Sequence, residues 1–317
     1  MIIHLKHHEI DFDKWDDCVN RSINGIIYAY SFYLNQVSPE WEALIEKDYK
    51  SIMPLPVKKK AGISYIMQPV FVQQLGVFSP HLPDESLIQQ YMNKIPSKYR
   101  FIHYHLNTFN NLDSLPKGRI FKSTNYELDL IASYDLIFKN FSSNTKRNLK
   151  KSQKKKVFIV KNSNPEPVIE SFRTYRGKAI KVMGNEQYNT LKHLIYSGIH
   201  RGNTIVYSAY TAENNYCAGI VFMHSHQKSI LIFSGTTPEA KKNGAMTAII
   251  DTYIREHSGT NTILDFEGSN DKQLARFYAG FGSKECVFLQ IRINRFPILL
   301  NFIVNTYLSS RKKLAGY

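Results

Sequence analysis

Apolar positions along this chain recur at two spacings, and the switches between them divide it into elements. In the first half, residues 2–5 form a short apolar run that reads as a strand, and residues 12–22 read as a helix. Mixed strands follow as far as Val77, then a helix at residues 85–94 and a strand at 101–106. The second half is clearer. It reads as a strand at 157–160, helices at 167–181 and 186–200, and strands at 204–210, 218–223 and 229–233. A helix at 245–257, a strand at 263–266 and a last helix close the series.

The strand–helix unit at residues 263–283, ILDFEGSNDKQLARFYAGFGS, holds the densest candidate chemistry. Its strand ends in Glu267-Gly268-Ser269. Its helix carries Leu274, Phe277, Tyr278 and Phe281 at helical spacing, and Gly282 is a natural stop. Side chains alternate along a strand, so Asp265 and Glu267 are expected on one side of it. Two carboxylates sharing a site raise one pKa, which suits that group to deprotonate an acceptor amine. The same pair can instead anchor Arg276 or a lysine. Tyr278 either aims its hydroxyl into a cleft, to protonate a leaving group, or fills a core like many of the 20 tyrosines.

Net charge is +15, which favours anionic partners: phosphates, nucleic acid, nucleotide-linked sugars or an acidic membrane surface. Much of that charge is local. Residues 142–156, SSNTKRNLKKSQKKK, include Lys146, Arg147, Lys150, Lys151, Lys154, Lys155 and Lys156 and no acid. Ser142 or Ser143 is placed to cap a helix. On that helix Lys146-Lys150-Lys154 and Arg147-Lys151-Lys155 make two adjacent positive stripes. Each like-charge pair costs about 0.2–0.5 kcal/mol, which either a bound anion or bulk salt relieves. A solvated linker helix and a helix touching phosphate or nucleic acid both fit.

A length of 317 residues, with 43% hydrophobic and 21% charged residues, suits about two ordinary globular domains. Cys18, Cys217 and Cys286 are far apart and odd in number, so no disulfide framework or zinc spacing follows and a cytoplasmic location is expected. No apolar run approaches the roughly 18 residues that cross a bilayer, so no integral membrane segment is expected. His224 and His226 flank Ser225 in an expected exposed turn with no third ligand in reach, so no metal is expected. His103 and His105 share one face of a strand.

The order strand, two helices, three strands, helix, strand, helix, strand resembles a GNAT (Gcn5-related N-acetyltransferase) domain. The first half resembles a blurred copy of it. The basic segment resembles the linker stretch of FemABX-type transferases, which join two GNAT-like domains in one chain. The runs Gln68-Pro69-Val70-Phe71-Val72-Gln73-Gln74-Leu75-Gly76 and Asp265-Phe266-Glu267-Gly268-Ser269 resemble those of Fem-related bacterial proteins. The resemblance implies an α/β, mixed-sheet fold: two tandem GNAT-like domains at residues 1–140 and 141–296 with a basic linker helix. It also implies a C-terminal helix at 297–317 returning to the first domain, or a peripheral membrane contact there.

It further implies an N-acyltransferase that moves an acyl group from acyl-CoA, as co-substrate rather than bound cofactor, to an amine. The other expectations are an aminoacyl-tRNA-dependent transferase acting on a cell-wall precursor, and an inactive scaffold that binds an anion. GNAT enzymes hold the donor pyrophosphate on backbone amides of a glycine loop at a helix start. The matching run here is Lys241-Lys242-Asn243-Gly244-Ala245-Met246, in which Lys241 and Gly244 fit the spacing and Met246 departs from it. Gly244 can equally just open the helix at 245–257. By the same resemblance Glu267, nearer the strand end, or else Asp265 is the base, and Tyr278 the thiolate-protonating acid. The amides of Gln68, Gln73 and Gln74 suit either reading of a sugar or peptide acceptor or hydrogen bonding at an edge strand or between domains, and Arg147, Lys150 and Lys151 suit a tRNA backbone.

Overall fold

The computed structural model describes residues 1–60, 62–180, 182–267 and 271–297. The chain divides into two compact units, Met1–Thr124 with the segment from Val287, and Asn125–Cys286. The crossings between these units lie at 124/125 and 286/287, whereas the sequence suggests segments 1–140, 141–296 and 297–317. Both observed crossings fall inside long strands, where regular backbone offers the pattern of hydrophobic positions no break to mark.

The first unit opens with β1 (Ile2–Leu5), α1 (Phe12–Arg21), α2 (Ser31–Val37), β2 (Glu42–Glu46) and β3 (Ile52–Leu55). The Asp11 carboxylate starts α1 by accepting the Lys14 N–H. β1, β2 and β3 form an antiparallel sheet. Next come β4 (Val57–Lys60), β5 (Ile63–Met67), α3 (Glu85–Lys94) and β6 (Tyr99–His105). β4 and β5 are antiparallel, β5 and β6 parallel. The core gathers large rings: Trp15 and Trp41 lie 4.6 Å apart with no exposed surface, and the Trp15 indole N–H donates to the Ala29 carbonyl at 2.8 Å. An indole is buried at little cost only when its N–H finds an acceptor.

β7 (Arg119–Asp129) carries the chain into the second unit. There follow α4 (Tyr134–Lys139), α5 (Ser143–Lys154), β8 (Phe158–Lys161), α6 (Glu166–Tyr175), α7 (Asn185–His200), β9 (Thr204–Tyr210), β10 (Tyr216–Ser225) and β11 (Lys228–Thr236). α8 (Pro238–Asn243), α9 (Ala245–His257), β12 (Ile263–Asp265), α10 (Lys272–Ala279) and β13 (Lys284–Asn294) complete the described chain. β13 returns to the first unit, where it pairs antiparallel with β6. From β8 onward the element order is the expected one, apart from the short α8. The expected helix at 297–317 lies outside the described residues beyond Pro297.

In the second unit the strands lie in the order β7-β12-β11-β10-β9-β8, with β11 and β12 parallel and the other pairs antiparallel. α9 turns Ile249, Ile250, Tyr253 and Ile254 into the core, where Ile220, Phe222 and Leu264 of the sheet and Phe281 are also buried. The basic segment is not a free linker. It forms α5, capped by the Ser142 hydroxyl on the Thr145 N–H at 3.1 Å, with Thr145, Leu149 and Ser152 buried within the second unit. The tight turn between β10 and β11 is His226-Gln227, both at positive φ (51° and 57°), the twist a two-residue hairpin needs. His224 is therefore in the strand, not the turn, and its ring is stacked near Tyr253 at 6.2 Å.

Candidate active site

The second unit has a place where two parallel strands part. β11 and β12 pair only at Lys228–Ile263, Ser229–Leu264 and Ile230–Asp265. Beyond that point β11 runs on to Thr236 beside β10, while the other chain turns away after Asp265. The turn has a visible cause. Asp265 Oδ1 accepts the Glu267 backbone N–H at 2.8 Å, and Glu267 adopts φ +54°. A side chain bonding its own backbone two residues on substitutes for strand pairing. The expected alternation of Asp265 and Glu267 does not hold, because the strand ends at Asp265 and the left-handed residue leaves its register.

The two carboxylates consequently have different surroundings. Asp265 is 1% exposed and sits in a charged cluster. Lys228 Nζ lies 3.3 Å from Asp265 Oδ2 and 2.6 Å from Glu127 Oε1, and Asn125 Nδ2 donates to Asp265 Oδ1 at 3.0 Å. Burial alone would push the Lys228 ammonium down. Asp265 and Glu127 more than offset this and hold it above the usual lysine range. Cys286 faces the same cluster, its thiol pushed up to about 12 by burial and by Glu127 and Asp265. Glu267 keeps part of its residue surface open to solvent, yet its carboxyl is packed around by protein atoms. Burial pushes it well above the usual carboxylate range, and this local packing governs its proton more than the residue's overall exposure does.

Tyr278, on α10, is buried, and its ring stacks on Phe266 at 4.9 Å and 19°. It thereby joins the residue next to Glu267 to the core. The helix starts at Asp271, whose carboxylate accepts the Gln273 and Leu274 N–H groups. It ends at Ala279, with Gly280 as its cap and Gly282 at φ +80° just beyond.

The expected phosphate loop is engaged within the protein. The Gly244 N–H donates to the Ala240 carbonyl at 3.1 Å, and the Ala245 N–H to Asn243 Oδ1 at 3.0 Å. Asn243 is itself buried, with Nδ2 on Cys217 Sγ at 3.2 Å. The Gly244 backbone at φ +76° lies against Asn148 of α5. Neither amide is left over for a donor phosphate, and Lys241 stands exposed on α8 beside this junction. The start and the middle of α5 thus have distinct contacts. Near its start the Thr145 hydroxyl donates to the Gly280 carbonyl at 2.9 Å, and farther along Asn148 meets Gly244.

The outer side of α5 presents Arg147, Lys150, Lys151 and Lys154, all exposed, and none pairs with an acid among the described residues. Lys241 and Lys242 add exposed positive charge on α8, which packs against α5. Gln68, Gln73 and Gln74 belong to the first unit, and their polar groups meet partners there. Gln68 Oε1 accepts the His105 N–H at 3.1 Å and its Nε2 donates to the Val72 carbonyl. Gln74 is buried, with Oε1 accepting the Thr108 N–H and Nε2 on Gln73 Oε1. The Gln73 carbonyl accepts from His105 Nδ1 at 2.9 Å.

Sequence reasoning missed Lys228, Glu127 and Asn125. The only trace of them is the alternation of Asn125, Glu127 and Asp129 with Tyr126 and Leu128 at the end of a strand, and a lysine directly after a turn. No group of His, Cys, Asp and Glu able to hold a metal occurs among the described residues. None of the described helices is long and apolar enough to cross a membrane.

No protein-family model matches the chain, and no curated protein matches it by sequence. Solved structures do. FemX is similar over 96% of this chain and 99% of its own, at 12% identity and a TM-score of 0.63. L-PGS from Bacillus licheniformis is similar over 96% and 97%, at 10% identity and a TM-score of 0.54. A conserved protein of unknown function from Bacteroides thetaiotaomicron is similar over 90% and 98%, at 8% identity and a TM-score of 0.54. At such identities what is shared is the fold, and this chain has the mixed-sheet α/β fold seen in FemX and L-PGS.

Proposed function

We propose that the second unit is the catalytic unit of a transferase that moves an aminoacyl group from tRNA to an acceptor amine. The observation that carries this reading is the pairing of an unneutralised basic helix face with a donor loop whose amides are already engaged. A polyanion fits Arg147, Lys150, Lys151, Lys154 and the adjacent Lys241 and Lys242, since cations without acidic partners release counterions when phosphates replace them. Acyl-CoA, the first donor that the sequence resemblance implies, would need an anchor for its pyrophosphate other than the Gly244 and Ala245 amides. The fold shared with FemX supports a transferase in general terms. The acceptor is read as a cell-wall or lipid-linked amine.

In this mechanism the acceptor nitrogen attacks the ester carbonyl and the bond to the ribose oxygen breaks. Glu267 takes the proton from the nitrogen, because a carboxyl raised by burial is a stronger base than an exposed one. Tyr278, stacked on the neighbouring Phe266, is assigned to return a proton to the departing oxygen. The experiment is to incubate the protein with radiolabelled aminoacyl-tRNA and amine acceptors at low and moderate salt. Label transfer that weakens as salt rises supports the reading. A thermal shift with acyl-CoA, together with no tRNA binding, would replace it with the CoA-dependent one.

A further inference from the structure

The cluster around Lys228 has no part in the mechanism above, yet it is bonded directly to the turn that carries Glu267. Its members come from three adjacent strands: Asn125 and Glu127 on β7, Lys228 on β11 and Asp265 on β12. Asp265 divides its two oxygens between two tasks. Oδ2 faces Lys228 Nζ at 3.3 Å, and Oδ1 accepts both the Asn125 amide at 3.0 Å and the Glu267 N–H at 2.8 Å. A carboxylate held at one oxygen cannot swing the other away, so the cation fixes the acceptor that forms the turn. Lys228 is 12% exposed and is itself held from the far side by Glu127 at 2.6 Å.

We propose that Lys228 and Asp265 are positioning residues that hold the Glu267 turn in its left-handed conformation and so fix where its carboxyl is placed. The proposal rests on the reading of Glu267 as the acid–base group. It assigns Asp265 a different role from that group. Burial pushes the Glu267 carboxyl up. What the cluster supplies is geometry. An L-residue at φ +54° is disfavoured on its own and persists where its surroundings specify it.

The test titrates the Glu267 carboxyl by 13C NMR on glutamate-labelled protein, with Glu267→Gln identifying its resonance. In Asp265→Ala and Lys228→Met the resonance is expected to titrate at least about one pH unit lower than in the parent, toward the ordinary carboxylate range. Asp265→Asn keeps an oxygen for the Glu267 N–H and is expected to retain most of the raised value. Should Lys228→Met not fold, Lys228→Met/Glu127→Gln leaves one uncompensated carboxylate instead of two and is read in its place. An unchanged Glu267 titration in Asp265→Ala and in the Lys228 variant overturns the proposal. A titration that drops while the transfer rate holds leaves positioning intact and removes the catalytic role of Glu267 instead.

Discussion

Gly244 and Asn148 meet backbone to backbone: a Cβ built on Gly244 would lie 2.4 Å from the Asn148 carbonyl oxygen. This close approach seats α5 across the junction of α8 and α9. It explains at once why the glycine is there, why the start of α9 is not an open phosphate cradle, and why the lysines of α5 face outward.

Gly244→Ala is expected to destabilise the protein by more than the 1–2 kcal/mol or so that a left-handed L-residue alone costs, because the new methyl meets backbone that cannot rotate aside. Urea unfolding of the two proteins measures the difference. Equal midpoints would mean that α5 does not pack as described.

Neutralising Lys150, Lys151 and Lys154 to glutamine is expected to weaken tRNA binding and to flatten its dependence on salt, by about 0.7–0.9 in the log–log slope for each phosphate that is no longer neutralised. Stability should hold or rise slightly, since removing the Lys150–Lys154 repulsion recovers about 0.2–0.5 kcal/mol. Filter binding at several salt concentrations, alongside thermal unfolding, separates the two effects.

Glu267 carries a sign that stability measurements can read. Its folded pKa lies above its unfolded one, so between those values the folded state binds more proton and stability falls as pH rises. Glu267→Gln removes that fall. The variant should be more stable than the parent at neutral pH, with the gap closing as pH drops toward the ordinary carboxylate value of about 4.3. A constant gap across that range would show that Glu267 is not buried as a carboxyl.

His105 gives the opposite slope. Burial, with His103 beside it at 5.0 Å, pushes it down to about 3, and its Nδ1 proton is held by the Gln73 carbonyl. The unfolded chain takes up a proton near pH 6.5 that the folded chain refuses. Stability is therefore lost as pH falls from about 6.5 toward 3, by at most about 1.4 kcal/mol per pH unit for this group. His105→Gln is expected to flatten the acid limb of a melting-temperature profile.

The second unit was largely legible because its apolar positions keep one period through each element. The helix at 186–200 and the strand at 204–210 match α7 and β9 to within a residue. What escaped are contacts between distant positions. Lys228 meets Glu127 across 101 residues and Asp265 across 37, and nothing local to any of the three encodes the meeting. The Asp265–Glu267 alternation failed because one side-chain hydrogen bond ended the strand sooner than its apolar pattern did. Gly244 was ambiguous for a different reason. A glycine at a helix start reports only that a Cβ does not fit, and a phosphate and a neighbouring backbone exclude it equally well. The unit boundaries were hidden because β7 and β13 are unbroken strands.

Glu267-dependent aminoacyl transfer is tested most directly by comparing the protein with its Glu267→Gln variant on radiolabelled aminoacyl-tRNA, supplied with cell-wall and phospholipid amine acceptors. The expected result is label on an acceptor with the parent protein, and a rate lower by about 10²–10⁴ with the variant, the usual contribution of a positioned acid–base group, while tRNA affinity stays the same. Equal transfer by the two proteins would mean that Glu267 is not the base.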